Sequence, residues 1–224
     1  MPMNDTVAAT ALLKIIDTFA PAAYRRERAL ALLSAAVASG DDRVMDRTFA
    51  SLERLGLVAA QAYEIVLQSY LFLGFPRMLA AAERLAAHHS EYVEFAEPEP
   101  ISSQESETWF IRGTALCRGV YGSSYDLLRD RVCSIAPDVF RWMIVEGYGK
   151  VLSRPGLSSI ERELAIVACL IWENREKQLF SHMRGTLNVG GNSDLLQAVI
   201  EDLTPAAPRG CSTAREILHR LERT

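Results

Sequence analysis

Residues 161–190 read ERELAIVACLIWENREKQLFSHMRGTLNVG. The run 164–172, LAIVACLIW, is apolar at every position, so a helix built from it has no polar face and is expected to be buried all round. A short polar turn follows, then a second periodic segment with its own apolar stripe of Leu179, Met183 and Leu187. Gly190 and Gly191 close it, since glycine can take the left-handed conformation that ends a helix. Ser158, three residues ahead of Glu161, fits a capping box, in which each side chain satisfies an orphan backbone donor of the other. The stretch therefore predicts a helical hairpin with one leg in the core.

The rest of the chain extends this reading. Helical periodicity recurs almost everywhere, and no run of β-branched residues suggests a sheet. Helices are expected near 6–18, 24–38, 42–55, 58–73 and 76–95, then near 106–119, 123–135, 138–152, 158–172, 174–189, 193–203 and 212–222. The fold class is all-α. The segment 97–106, EPEPISSQES, is polar and proline-punctuated and reads as a linker. On either side the halves look related: at an offset of 134, residues 27–56 align without a gap on 161–190, with five identities and the same layout of apolar helix, turn, helix and glycine. A duplicated helical bundle follows, with a degenerate repeat over 1–96, the linker over 97–106 and a second repeat over 107–224. The competing explanation is that any two helical hairpins look alike.

Composition narrows the function. The 224 residues are 49% hydrophobic and 23% charged, with a net charge of -4 and no basic cluster, which argues against a nucleic-acid surface or a basic membrane patch. The longest apolar run has nine residues where a membrane span needs roughly 20. The N-terminus, MPMNDTVAATALLKIID, has no basic segment ahead of its apolar residues and no clear cleavage site, so a cytoplasmic protein is expected. Cys117, Cys133, Cys169 and Cys211 form no CxxC pair and no zinc-knuckle spacing. No metal or other cofactor is expected.

One residue stands out. His182, alone of its kind in the hairpin, shares a helical face with Arg175, Gln178, Gly185, Thr186 and Val189, at the edge of the apolar stripe. Lys177, Ser181, Arg184 and Asn188 lie on the far side. Glu163 stands one turn ahead of the apolar core of the preceding helix, and the hairpin permits contact between the two. An acid beside a histidine is a proton-transfer pair. Against that stand a histidine that only packs and a glutamate that only complements a helix N-terminus.

Several tokens carry a resemblance: RPGLS at 154–158, REL at 162–164 and QLFSHMRGTLNVG at 178–190, with RGTALCRGVYGSSYDLL at 112–128 as an opening helix. Together they resemble the carboxymuconolactone decarboxylase family, within the alkyl hydroperoxidase D-like superfamily. The resemblance implies an all-α bundle of such repeats assembled as a homo-oligomer, a trimer or dimer for a two-repeat chain. It also implies acid–base chemistry on a small organic acid or lactone, with His182 donating a proton, Glu163 orienting it, and Arg154, Arg175 and Gln178 on the substrate side. The peroxidase branch of the superfamily uses Glu, CxxC and His. Glu163 matches its Glu, whereas Arg175 and Gln178 occupy the two cysteine positions, so that dithiol chemistry is excluded. The decarboxylases usually carry an acid where Gln178 stands. In the first repeat Ala29 aligns with Glu163 and Thr48 with His182. Alternatives are a non-catalytic scaffold or ligand-binding protein, and single-thiol chemistry through Cys117 or Cys133.

Overall fold

The computed structural model describes residues 5–90 and 100–223. Every regular element among them is helical. The first half contains α1 (Asp5–Thr18), α2 (Arg25–Ser39), α3 (Asp42–Phe49), the single turn α4 (Leu52–Leu55) and the long α5 (Ala59–His88). The second contains α6 (Ser103–Tyr121), α7 (Tyr125–Ile135), α8 (Pro137–Trp142), a π-helix over Met143–Leu152, α9 (Ser159–Glu173), α10 (Glu176–Asn188), α11 (Ser193–Leu203) and α12 (Pro208–Leu221). The all-α bundle expected from the periodicity is the fold found.

Helix α9 begins at the capping box read from the sequence: Ser158 accepts from the Glu161 N–H, and the Glu161 carboxylate accepts from the Ser158 N–H at 2.7 Å. Its residues 161–171 are all buried, and α2 runs against it along much of its length. Helix α2 suits that position because its buried run, 29–38, is mostly alanine and leucine. The one polar member, Ser34, is satisfied by donating to the Ala165 carbonyl at 2.6 Å. Truncating a leucine such as Leu33 in this contact would cost about 2–5 kcal/mol. One hydrophobic cluster takes in both halves, so they share a core and are not separate domains.

The 134-residue offset recurs in the backbone. Helices α2 and α9 begin and end at matching positions, α3 and α10 begin together, and so do α5 and α11. Gly40 and Asn174 both close their helices in the left-handed region, and so, after the second helix, do Gly56 and Gly190. Cross-half pairing repeats as well: Arg28 holds Asp202, and Arg162 holds Gln68, with each member 134 residues from its counterpart.

The helix expected near 42–55 is broken into α3 and α4, and three further boundaries differ from expectation. Helix α6 starts at Ser103, inside the stretch read as linker, because Ser102 and Glu105 make a second capping box; the polar composition of 97–106 masked that signal, and 97–99 lie outside the described residues. The helices expected at 58–73 and 76–95 form one element, α5, bent at Gly74, whose φ of 77° only glycine adopts easily; positions 91–95 lie outside the described residues. The helix expected at 138–152 changes to π geometry after Trp142. There Gly149 and Gly113 let the π-helix and α6 meet backbone to backbone, since an added Cβ on either would fall within 2.2 Å of a carbonyl oxygen. Among the described residues, α5 is also long and apolar enough to cross a membrane by length and composition. It carries buried Glu64 and Gln68, both bonded to Arg162 of α9.

Candidate functional site

The turn between α9 and α10 folds the two helices back on each other and brings Glu163 to His182. Nδ1 of His182 lies 2.8 Å from Oε2 of Glu163, and the residues are 5% and 2% exposed. Gly185 makes room for the pair: a Cβ there would sit 2.8 Å from Oε2 of Glu163 and 2.7 Å from Val120 of α6. The edge-on ring of Phe72, from α5, holds the imidazole from the other side, with centroids 5.4 Å apart. The first half thus supplies a wall of the site.

A carboxylate at Nδ1 fixes the tautomer. It accepts a hydrogen bond, so Nδ1 carries a proton and Nε2 is the atom left to exchange one. His182 borders a cavity of about 530 Å³, and among the described residues Nε2 has no hydrogen-bond partner. The cavity is mostly apolar, walled by Leu71 and Phe72 of α5, Leu128 and Val132 of α7, and Trp142 and Met143. Its polar groups are Arg131, Glu146, Lys177, Gln178 and Ser181, with the two tyrosines Tyr121 and Tyr148. Glu146 is already engaged: the Tyr70 hydroxyl donates to it at 2.6 Å and Lys150 stands 3.5 Å away.

The surroundings of Glu163 stay protonated. Burial, helped by the charge of Glu163, pushes the Cys117 thiol up to about 12. Burial likewise raises the Tyr121 hydroxyl to about 12, and that of Tyr148 well above the ordinary tyrosine range. The rings of these two phenols meet edge to face at 6.4 Å. Among the described residues, no three His, Cys, Asp or Glu side chains converge as a metal-ligand set.

Of the five residues expected at the site, His182, Glu163 and Gln178 come together and two do not. Arg154 is held by Glu64 at 3.0 Å, in a network with the buried Arg162. A buried carboxylate on α5 needs cationic partners, and it takes this arginine from the site. Arg175 precedes the first turn of α10 in a non-helical conformation, so the helical wheel that set it beside His182 does not apply; it is exposed and 3.9 Å from Glu173. The cations bordering the cavity are instead Arg131 and Lys177. Arg131 was legible in part, because Leu128, Arg131, Val132 and Ile135 follow the spacing of one helical face. Nothing in the sequence indicated that α7 and the π-helix would close over α10. No family model matches the chain, and no curated protein matches it.

Proposed function

We propose that this chain is an acid–base enzyme of the carboxymuconolactone decarboxylase type, acting on a small carboxylated lactone or related organic acid. The observation that carries this reading is the buried Glu163–His182 pair, with Nε2 of the histidine turned to an apolar cavity that has cations at its edge. Arg131 or Lys177 would hold the substrate's acid group, in place of the Arg154 and Arg175 named by the resemblance. Breaking the C–C bond to the carboxylate releases CO2 and leaves its electron pair delocalised into the unsaturated lactone. His182, as imidazolium balanced by Glu163, then gives its Nε2 proton to carbon, and solvent restores that proton. The low polarity of the walls favours the step, because a carboxylate loses charge as CO2 departs.

The recurrence of helix ends at 134 residues supports two copies of one unit, and a trimer or dimer working in the cytoplasm completes the reading. Single-thiol chemistry gains no support: Cys117 is buried with its thiol pushed up to about 12, and Cys133, though exposed, does not border the cavity.

The test is decarboxylation of γ-carboxymuconolactone by the purified protein, followed by ultraviolet absorbance. Turnover is expected, and His182→Ala should lower it by about 10²–10⁴-fold while circular dichroism shows the helices intact. A folded protein without turnover would reject this substrate and leave a ligand-binding scaffold as the better reading.

A further inference from the structure

Beyond Lys177, the far face of α10 has no part in the chemistry above, and Ser181 and Arg184 on it are half-buried. Lys177, Ser181 and Arg184 follow at one-turn intervals and border a second cavity of about 630 Å³, together with Arg131 of α7 and Arg220 of α12. Tyr121, Leu128, Arg131, Lys177 and Ser181 border both cavities, so the two adjoin along the line from Arg131 to Lys177.

The charge of this second cavity is one-sided. Arg131, Lys177, Arg184 and Arg220 face a single acid, Glu176. Among the described residues, Arg131, Lys177 and Arg184 have no carboxylate within 4.0 Å. The guanidiniums of Arg184 and Arg220 both lie over the Phe180 ring, 5.0 and 4.3 Å from its centroid. A planar guanidinium fork fits a phosphate or carboxylate on two oxygens at once, and concave walls of low polarity strengthen the attraction. From Lys177, at the shared edge, to Arg184 is two turns of helix, about 10 Å at ~1.5 Å per residue.

We propose that the two cavities form one bipartite ligand site, in which the apolar, reacting part lies against His182 and a phosphate-type anion lies over Phe180, about 10 Å away. The organic acid used by this protein then carries a phosphorylated tail. This rests on the cavity beside His182 being the substrate site. It adds a second anchor, and it explains why that cavity is more apolar than a compact diacid requires.

Titration calorimetry with octyl phosphate, octanol and inorganic phosphate tests it on the intact chain. Octyl phosphate should bind at least tenfold more tightly than either of the other two. The double variant Arg184→Gln/Arg220→Gln should weaken octyl phosphate about tenfold or more and leave octanol unchanged. If that variant unfolds, Arg184→Gln alone carries the same comparison. Equal affinity for octanol and octyl phosphate, or octyl phosphate binding unaltered by the substitutions, overturns the proposal. So does sedimentation with phosphatidate vesicles when soluble octyl phosphate does not bind, which would assign the cations to a lipid surface. Self-association weakened by the same substitutions, again with no binding of octyl phosphate, would assign them to a protein interface. Octyl phosphate binding without γ-carboxymuconolactone turnover rejects that lactone as the substrate and leaves the bipartite site. Turnover without octyl phosphate binding does the reverse.

Discussion

The hairpin α2–α3–α4 and the hairpin α9–α10 share helix ends and cross-half pairings, yet only the second holds a buried carboxylate–imidazole pair. Three of the differences between them bear on this pair. Where the second has Glu163, His182 and Gly185, the first has Ala29, Thr48 and Ser51, all buried. The three belong together: the glycine clears the volume that the carboxylate occupies, and the carboxylate holds the imidazole. In the first hairpin Ala29 is too short to reach residue 48, and Thr48 bonds its own helix at the Val44 carbonyl. The second hairpin also borders the cavity walled by α5, α7 and the π-helix, whereas the first does not. A site needs this asymmetry, because a cavity must be walled on the side away from the core.

The comparison breaks most directly by making the second hairpin resemble the first. Glu163→Ala/His182→Thr should abolish decarboxylation to the extent given above for His182→Ala, measured by the same absorbance assay. Its effect on stability should be less than the sum of the single substitutions, since Glu163 or His182 left alone is a buried polar group without its partner. Chemical denaturation of the three variants checks this.

The pseudo-equivalent arginines give the next largest difference. Arg162 is fully buried against Glu64 and Gln68, while Arg28 and Asp202 keep nearly a fifth of their side-chain surface exposed. Arg162→Ala breaks a buried ion pair, leaving Glu64 with Arg154 alone and Gln68 without its guanidinium donor, and should cost about 3–5 kcal/mol. Arg28→Ala should cost about 1 kcal/mol or less, because water replaces much of what is lost. Equal costs in urea denaturation would show that burial does not distinguish the halves.

Gly185→Ser writes the first-half residue into the second. The new atoms meet Val120 and Glu163, so a loss of about 1–3 kcal/mol is expected, with a fall in turnover as the carboxylate is displaced. Unchanged turnover would separate Glu163 from the chemistry.

The thiols sharpen the comparison least. All four cysteines lie in the second half, and three are buried. Burial raises Cys117 and Cys169 from 9.0 to about 12 and Cys211 to about 11. These groups hold their protons longer in the folded chain than in the unfolded one. Their contribution is therefore complete below about pH 9 and declines as pH rises towards 11–12. Melting temperatures across that range should fall accordingly. At pH 8 iodoacetamide should label Cys133 alone and leave turnover unaltered.

The sequence by itself determined the fold class, because apolar residues with no polar face in 164–172 can only be satisfied in the middle of other helices. It determined the hairpin, its capping box and the offset of 134, which follow from spacing along one or two helices, and it permitted the contact of Glu163 with His182 that the packing then made. The cations beside the cavity were decided by tertiary structure. Arg154 was drawn to Glu64, ninety residues away in the chain, and Arg131 and Lys177 took its place only because α7 folds over α10. Periodicity reports which way a side chain points from its own helix. Which charge it meets depends on the helix that packs opposite, and a buried carboxylate selects its partner by proximity in space, whatever the spacing in sequence.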